Sequence, residues 1–104
     1  MTKLANAHRG EAEIRVGDST FLLRPSFENL VAAEEEIGSL FALVERAGEG
    51  ALTIKEVSAL IWHCLPRDDR PAREMVAAAI MAMGLMKATV PVRNILTQVL
   101  QGEA

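Results

Sequence analysis

Glycine and proline residues divide this chain into short segments, and that division constrains the fold more than any other feature of the sequence. Proline interrupts strand ladders and helix interiors, and glycine commonly ends helices. The strands and helices are therefore predicted to be short, and a chain of 104 residues holds several of them in one domain. The dividing residues are Pro25, Gly38, Gly48, Gly50, Pro66, Gly84 and Gly102.

A β-hairpin is predicted before the first of these prolines. Residues 13–16 alternate polar and apolar side chains, residues 17–19 form a turn cluster, and residues 20–24 are again rich in strand formers. The hairpin would have a three-residue loop, with Ile14 and Val16 on one face and Phe21 and Leu23 opposite them on the paired strand. An isolated hairpin is marginal in water, so this one is expected to pack on helices.

Five short helices are predicted after the hairpin. Ser26, Ser39 and Thr53 are suitable N-caps, and Glu56 completes a capping box with Thr53. Pro71 suits the first turn of a fourth helix, and a fifth is predicted to start at Thr89 or Val90. The fold class is therefore α+β and mostly α, with residues 1–9 as a flexible tail and residues 10–104 as a single domain.

The core is predicted to be aliphatic, because the chain has three Phe, one Trp and no Tyr. Helical spacing places Phe27, Leu30, Ile61 and Ile80 among the buried residues. Phe27 follows the cap of the first helix and is expected to pack under the hairpin.

Acidic residues are concentrated in the second quarter of the chain. Residues 26–50 carry one basic and six acidic side chains, a net charge of −5, whereas residues 1–25 (four basic, three acidic) and residues 51–104 (six basic, five acidic) each carry +1. Glu34, Glu35 and Glu36 lie at the centre of this segment. They form either a solvated helix face or a docking surface for a basic partner.

Four apolar residues are further candidates for binding a partner. Met75, Met81 and Met83 lie on the fourth helix, where methionine either fills the core or lines an adaptable groove. Trp62 lies between the polar and apolar sides of the third helix, and it is either packed or an exposed anchor.

No catalytic, metal or cofactor site is predicted. His63 and Cys64 are adjacent on a helix and point about 100° apart, so they do not form a nucleophile–base pair. Their neighbourhood also lacks the ligand spacing of a metal site. Arg67, Arg70 and Arg73 could contact phosphate, but Asp68, Asp69 and Glu74 neutralise them along the sequence, which favours a salt-bridged surface loop.

Composition also limits the partners and the cellular location expected for the protein. The net charge of −3 argues against a nucleic-acid partner, and no apolar run reaches the roughly 18 residues of a membrane helix. The first residues lack the apolar stretch of a secretory signal. The single cysteine excludes an intramolecular disulfide, so a reducing, cytoplasmic location is expected.

Two segments resemble a known family. Residues 8–11 read His-Arg-Gly-Glu, and residues 23–30 read Leu-Arg-Pro-Ser-Phe-Glu-Asn-Leu, followed by Glu35 and by Ile-Gly-Ser-Leu at 37–40. This pattern resembles the small tail proteins of gene transfer agents and related prophages, a branch of the phage tail assembly chaperone families. The close match covers residues 8–40, and the rest agrees only in its layout.

The resemblance implies a role in virion assembly without catalysis. The protein would bind tail components, such as tape measure or tail tube subunits, as an assembly chaperone or a minor tail protein. Related proteins are also described as tube components, but a tube subunit usually needs a substantial β-sheet, and two short strands argue against that here. The alternative is a small adaptor domain outside any virion pathway, which neighbouring tail genes would argue against.

Overall fold

A β-hairpin is followed by five helices in the computed structural model, which describes residues 12–101. The predicted α+β, mostly helical class is confirmed. The elements are β1 (Ala12–Val16), β2 (Ser19–Leu23), α1 (Phe27–Ile37), α2 (Leu40–Gly48), α3 (Ile54–His63), α4 (Arg73–Met83) and α5 (Leu85–Gln101). The tail predicted for residues 1–9 lies outside the described residues, as does the whole His-Arg-Gly-Glu segment at 8–11.

The hairpin is antiparallel, and Ile14 pairs with Phe21 as expected. Its turn has two residues instead of three, because Val16 already pairs with Ser19. Gly17 has a φ of 62°, a left-handed conformation that glycine adopts without the steric cost of a Cβ atom. The buried face of β1 contacts α4 and α5, so these two helices support the hairpin.

Local capping chemistry starts the first three helices as predicted. The Asn29 amide donates to Ser26 Oγ at 3.2 Å, and Ser39 caps α2 in the same way. Thr53 and Glu56 form the predicted capping box of α3. These bonds join residues three apart, which is why the sequence pattern located them.

The fourth and fifth helices begin elsewhere than predicted. α4 starts at Arg73 after an Ala72 cap, so Pro71 precedes the helix, and the Pro71 carbonyl accepts a hydrogen bond from Trp62. α5 starts at Leu85, directly after Gly84, and continues through Pro91. Pro91 is itself buried, so core packing holds a helix that the local preference of proline would interrupt.

α3 lies at the centre of the molecule, where it contacts α1, α4 and α5. Leu60, Ile61, Cys64 and Leu65 are fully buried around its C-terminal half. The predicted burial of Ile61 and Ile80 is confirmed, and Leu30 is partly buried against the same core.

The predicted burial of Phe27 is wrong, since 81% of this residue is exposed. The opposite side of α1 is buried, and Asn29 fixes it there. Asn29 Nδ2 donates to the Arg24 carbonyl at 2.9 Å, and its Oδ1 accepts from Arg67. Residues two apart on a helix point about 200° apart, so burial of Asn29 turns Phe27 toward solvent.

Candidate functional site

The three consecutive glutamates of α1 have three different environments. Glu34 Oε2 accepts a hydrogen bond from the Leu40 amide at 3.0 Å, which helps to begin α2. Glu36 pairs with Arg73 and His63. Glu35 is exposed, and within residues 12–101 its side chain makes no ion pair or hydrogen bond. Of the three carboxylates, Glu35 is therefore the one with no partner among the described residues.

Glu36 joins the end of α1 to α3 and α4. Arg73 Nη1 donates to Glu36 Oε2 at 2.8 Å, and His63 Nε2 lies 2.8 Å from Glu36 Oε1. The hydrogen bonds from Arg73, and secondarily from His63, lower the pKa of Glu36 to about 2. This carboxylate thus stabilises the packing of three helices.

Trp62 is packed against two guanidinium groups. The Cζ atoms of Arg70 and Arg73 lie 4.4 and 4.2 Å from its ring centroid, which is the geometry of cation–π contacts. Its indole Nε1 donates to the Pro71 carbonyl at 3.0 Å. Trp62 is half-buried and holds the loop between α3 and α4, and its contacts are those of a structural residue.

The arginines of that loop also have structural contacts. Arg70 Nη2 donates to the Leu65 carbonyl at 2.8 Å, and Arg67 donates to Asn29. Their carboxylate partners differ from those expected from the sequence. Arg73 pairs with Glu36 and Arg67 lies 3.9 Å from Glu28, both on α1 and both distant in the chain. Local sequence could suggest a salt-bridged loop but not these partners.

The three methionines of α4 are divided between surface and core. Met75 and Met81 are 53% and 62% exposed, whereas Met83 is half-buried against the core. Met75 and Met81 are six residues apart, about 120° around the helix, so they do not form one stripe.

Sequence reasoning missed the apolar residues on the outer side of α1. Phe27, Val31 and Glu35 recur every four residues, so they lie along one side of the helix, and all three are exposed. We call these three residues the outer face of α1. The sequence offers one signal of this orientation, the polar Asn29 two residues after Phe27. That Asn29 is buried, however, is evident only from its contacts with Arg24 and Arg67.

The described residues do not converge on a reactive centre. Within 12–101 no group of three or more His, Cys, Asp or Glu residues could hold a metal ion. Burial raises the pKa of the Cys64 thiol to about 12, so its nucleophilic thiolate form is suppressed. In the same range no single helix is long and apolar enough to cross a membrane, although α4 and α5, bent by 113°, reach the required length and hydropathy as a pair.

Comparison with known protein families shows to which family the chain belongs. The family described as phage tail tube protein, GTA-gp10, matches residues 9–102. The chain belongs to this family. The match extends from the hairpin through all five helices, well beyond the motif at 8–40, and it confirms that the resemblance identified a phage or gene-transfer-agent tail protein. No curated protein and no solved structure matches the chain.

Proposed function

We propose that this tail protein acts as an assembly chaperone or minor tail protein, and not as the polymerising subunit of a tube. The observation that carries the proposal is the size of its sheet. Within residues 12–101 the sheet has two strands of five residues each, and β1 packs against α4 and α5. A subunit that builds a tube through its sheet needs a more extensive surface than this hairpin provides.

The outer face of α1 supports binding to another tail component. Phe27 is almost fully exposed at one end and Glu35 adds a negative charge two turns later. Exposed aromatic residues are frequent anchors of protein interfaces. The partner that fits is a tail protein, such as a tape measure or tube subunit, with an apolar pocket beside a basic rim. Met75 and Met81, exposed on different sides of α4, are two further candidate contacts.

A protein can bind a partner through such a surface without catalysing a reaction, and we propose that the role is non-enzymatic. We propose further that it is carried out in the cytoplasm of the producing cell, before tails are complete. Membership of a tail protein family favours this role over that of an adaptor outside virion assembly.

The test is to measure the copy number of this chain in purified tail particles by quantitative mass spectrometry. An assembly chaperone should be absent and a minor tail protein present in a few copies. In parallel, the chain should co-purify with a tape measure or tube subunit when the two are expressed together. Copy numbers equal to those of the major tube protein, or tubes formed by the purified chain alone, would contradict the proposal.

A further inference from the structure

An apolar groove is lined by residues other than those of the outer face of α1, the α3–α4 loop and the α4 methionines. It runs between α2, the start of α3 and α5, and it comprises two adjoining cavities of about 110 and 350 Å³. Ala47 and Arg93 line both cavities. The groove is therefore a continuous feature with Arg93 at the junction of its two halves.

One side of α5 forms the length of this groove. Apart from the adjacent pair Leu96 and Thr97, its lining residues on α5 follow one another at intervals of three or four residues, so they lie along one side of the helix. They are Leu85, Thr89, Arg93, Leu96, Thr97 and Leu100. At 1.5 Å per residue the stripe is about 22 Å long, which corresponds to about four helical turns.

The chemistry of the groove is apolar with a single cation. Ile54 and Leu100, toward its two ends, are 57% and 55% exposed, and Val44 lines the wall that α2 contributes. Arg93 is exposed, and within residues 12–101 it makes no ion pair and no side-chain hydrogen bond. A ligand that covers the apolar walls would lie beside the Arg93 guanidinium, and an anionic group on the ligand would complement that charge.

The walls determine the shape of that ligand. α2 and α5 are helices whose internal amides and carbonyls bond within the helix, so neither can accept an added strand. A groove between two helices instead accommodates the ridge of side chains on a third helix.

We propose that this groove binds an amphipathic helix of a partner protein, about four turns long, whose apolar stripe carries one Asp or Glu near its middle. The carboxylate pairs with Arg93, and the apolar residues on either side fill the two cavities. The proposal concerns a surface distinct from the outer face of α1, and it does not depend on the chaperone role.

The experiment is an NMR titration of the ¹⁵N-labelled full chain with two synthetic peptides of about 15 residues. Both are helical with leucines at every third or fourth position, and they differ only in a central Glu or Lys. The Glu peptide should shift the amides of Ala47, Val57 and Leu96, and it should bind about tenfold more tightly than the Lys peptide.

Charge variants of the protein complete the test. Arg93→Gln should weaken binding of the Glu peptide about tenfold, and Arg93→Glu should reverse the preference between the peptides. Lys87→Gln is the matched control, because Lys87 is exposed on α5 and does not line either cavity. Circular dichroism verifies that each variant is folded.

Three results would overturn the proposal. These are equal affinity for the two peptides, amide shifts confined to other surfaces, and a dimer that Arg93→Glu dissociates, since the groove would then be occupied by a second copy of this chain.

Discussion

Phe27 shows how little the identity of one residue reveals about its burial. It is the largest apolar side chain of α1, yet the smaller Leu30, Ala33 and Ile37 face the core while Phe27 faces solvent. Leaving an aromatic ring in water forgoes the stabilisation that its burial would provide. Its exposure at the surface of a tail protein is consistent with a binding role.

The variant Phe27→Ala should therefore change stability by no more than about 0.5 kcal/mol. Leu60→Ala, at a fully buried position, should cost about 2–5 kcal/mol and serves as the comparison. Chemical denaturation measures both. If Phe27→Ala cost as much as Leu60→Ala, the orientation of α1 described here would be incorrect.

Glu35 and Glu36 are neighbours whose charges have different consequences. Glu35→Lys should leave stability nearly unchanged but slow association with a basic tail partner, and the difference from wild type should shrink at high salt. Glu36→Lys should destabilise the fold, because it places a cation against Arg73 and His63. Stopped-flow binding at two salt concentrations and thermal unfolding separate these effects. Equal association rates for wild type and Glu35→Lys would exclude the outer face of α1 from the interface.

At the scale of elements, ion pairs join helices that capping alone would leave independent. Glu36 connects α1 to α4, and Glu56 at the start of α3 pairs with Arg46 of α2, with a hydrogen bond from Arg46 Nη1 to Glu56 Oε1 of 2.7 Å. The hydrogen bond from Arg46 lowers the pKa of Glu56 to about 2, as that from Arg73 does for Glu36. Both carboxylates therefore favour the folded state only while they are ionised.

These two pairs predict an acid-sensitive stability. A carboxyl group with a lowered pKa in the folded state stabilises it fully above the unfolded value of 4.5, and this contribution is lost as the pH falls toward about 2. Because both pairs are partly solvated, each should contribute about 1 kcal/mol. The double variant Glu36→Gln, Glu56→Gln should unfold with a weaker pH dependence over this range than wild type. Parallel curves of unfolding free energy against pH would contradict this.

At the scale of the whole molecule, the core closes around α3 and Cys64. The Cys64 side chain is fully buried. The Cys64 carbonyl also accepts a hydrogen bond from the Arg24 amide at 2.7 Å, and this bond joins the end of α3 to the segment after the hairpin. A reagent reaches this thiol only when the packing of the helices on α3 is lost.

Labelling of Cys64 should therefore report on global unfolding. In native conditions a thiol reagent should react at least about 100-fold more slowly than with the unfolded chain, and the rate should increase with denaturant in parallel with unfolding measured by circular dichroism. Rapid labelling of a chain whose circular dichroism is native would show that α3 opens locally.

The sequence by itself determined the features that depend on neighbouring residues. Ser26, Ser39 and the Thr53–Glu56 box begin helices through bonds across three residues, and Gly38 ends α1 with a φ of 89° that few other residues adopt. The facing of Ile14 and Phe21 and the mostly helical class follow from patterns equally local, whereas the turn between the strands is one residue shorter than predicted. The resemblance at residues 8–40 likewise identified a phage or gene-transfer-agent tail protein, although not specifically a chaperone.

Only the tertiary structure decided that α1 turns Phe27 toward solvent and where α4 and α5 begin. The rotation of α1 depends on Asn29 meeting Arg67, and on Glu36 meeting Arg73, contacts that span 38 and 37 residues. α5 begins at Leu85 and continues through Pro91, which is packed in the core. At these positions the free energy of a local conformational preference is about as large as that of a single long-range contact. The outcome is therefore determined by the sum of many packing contacts, and the sequence pattern does not contain those contacts.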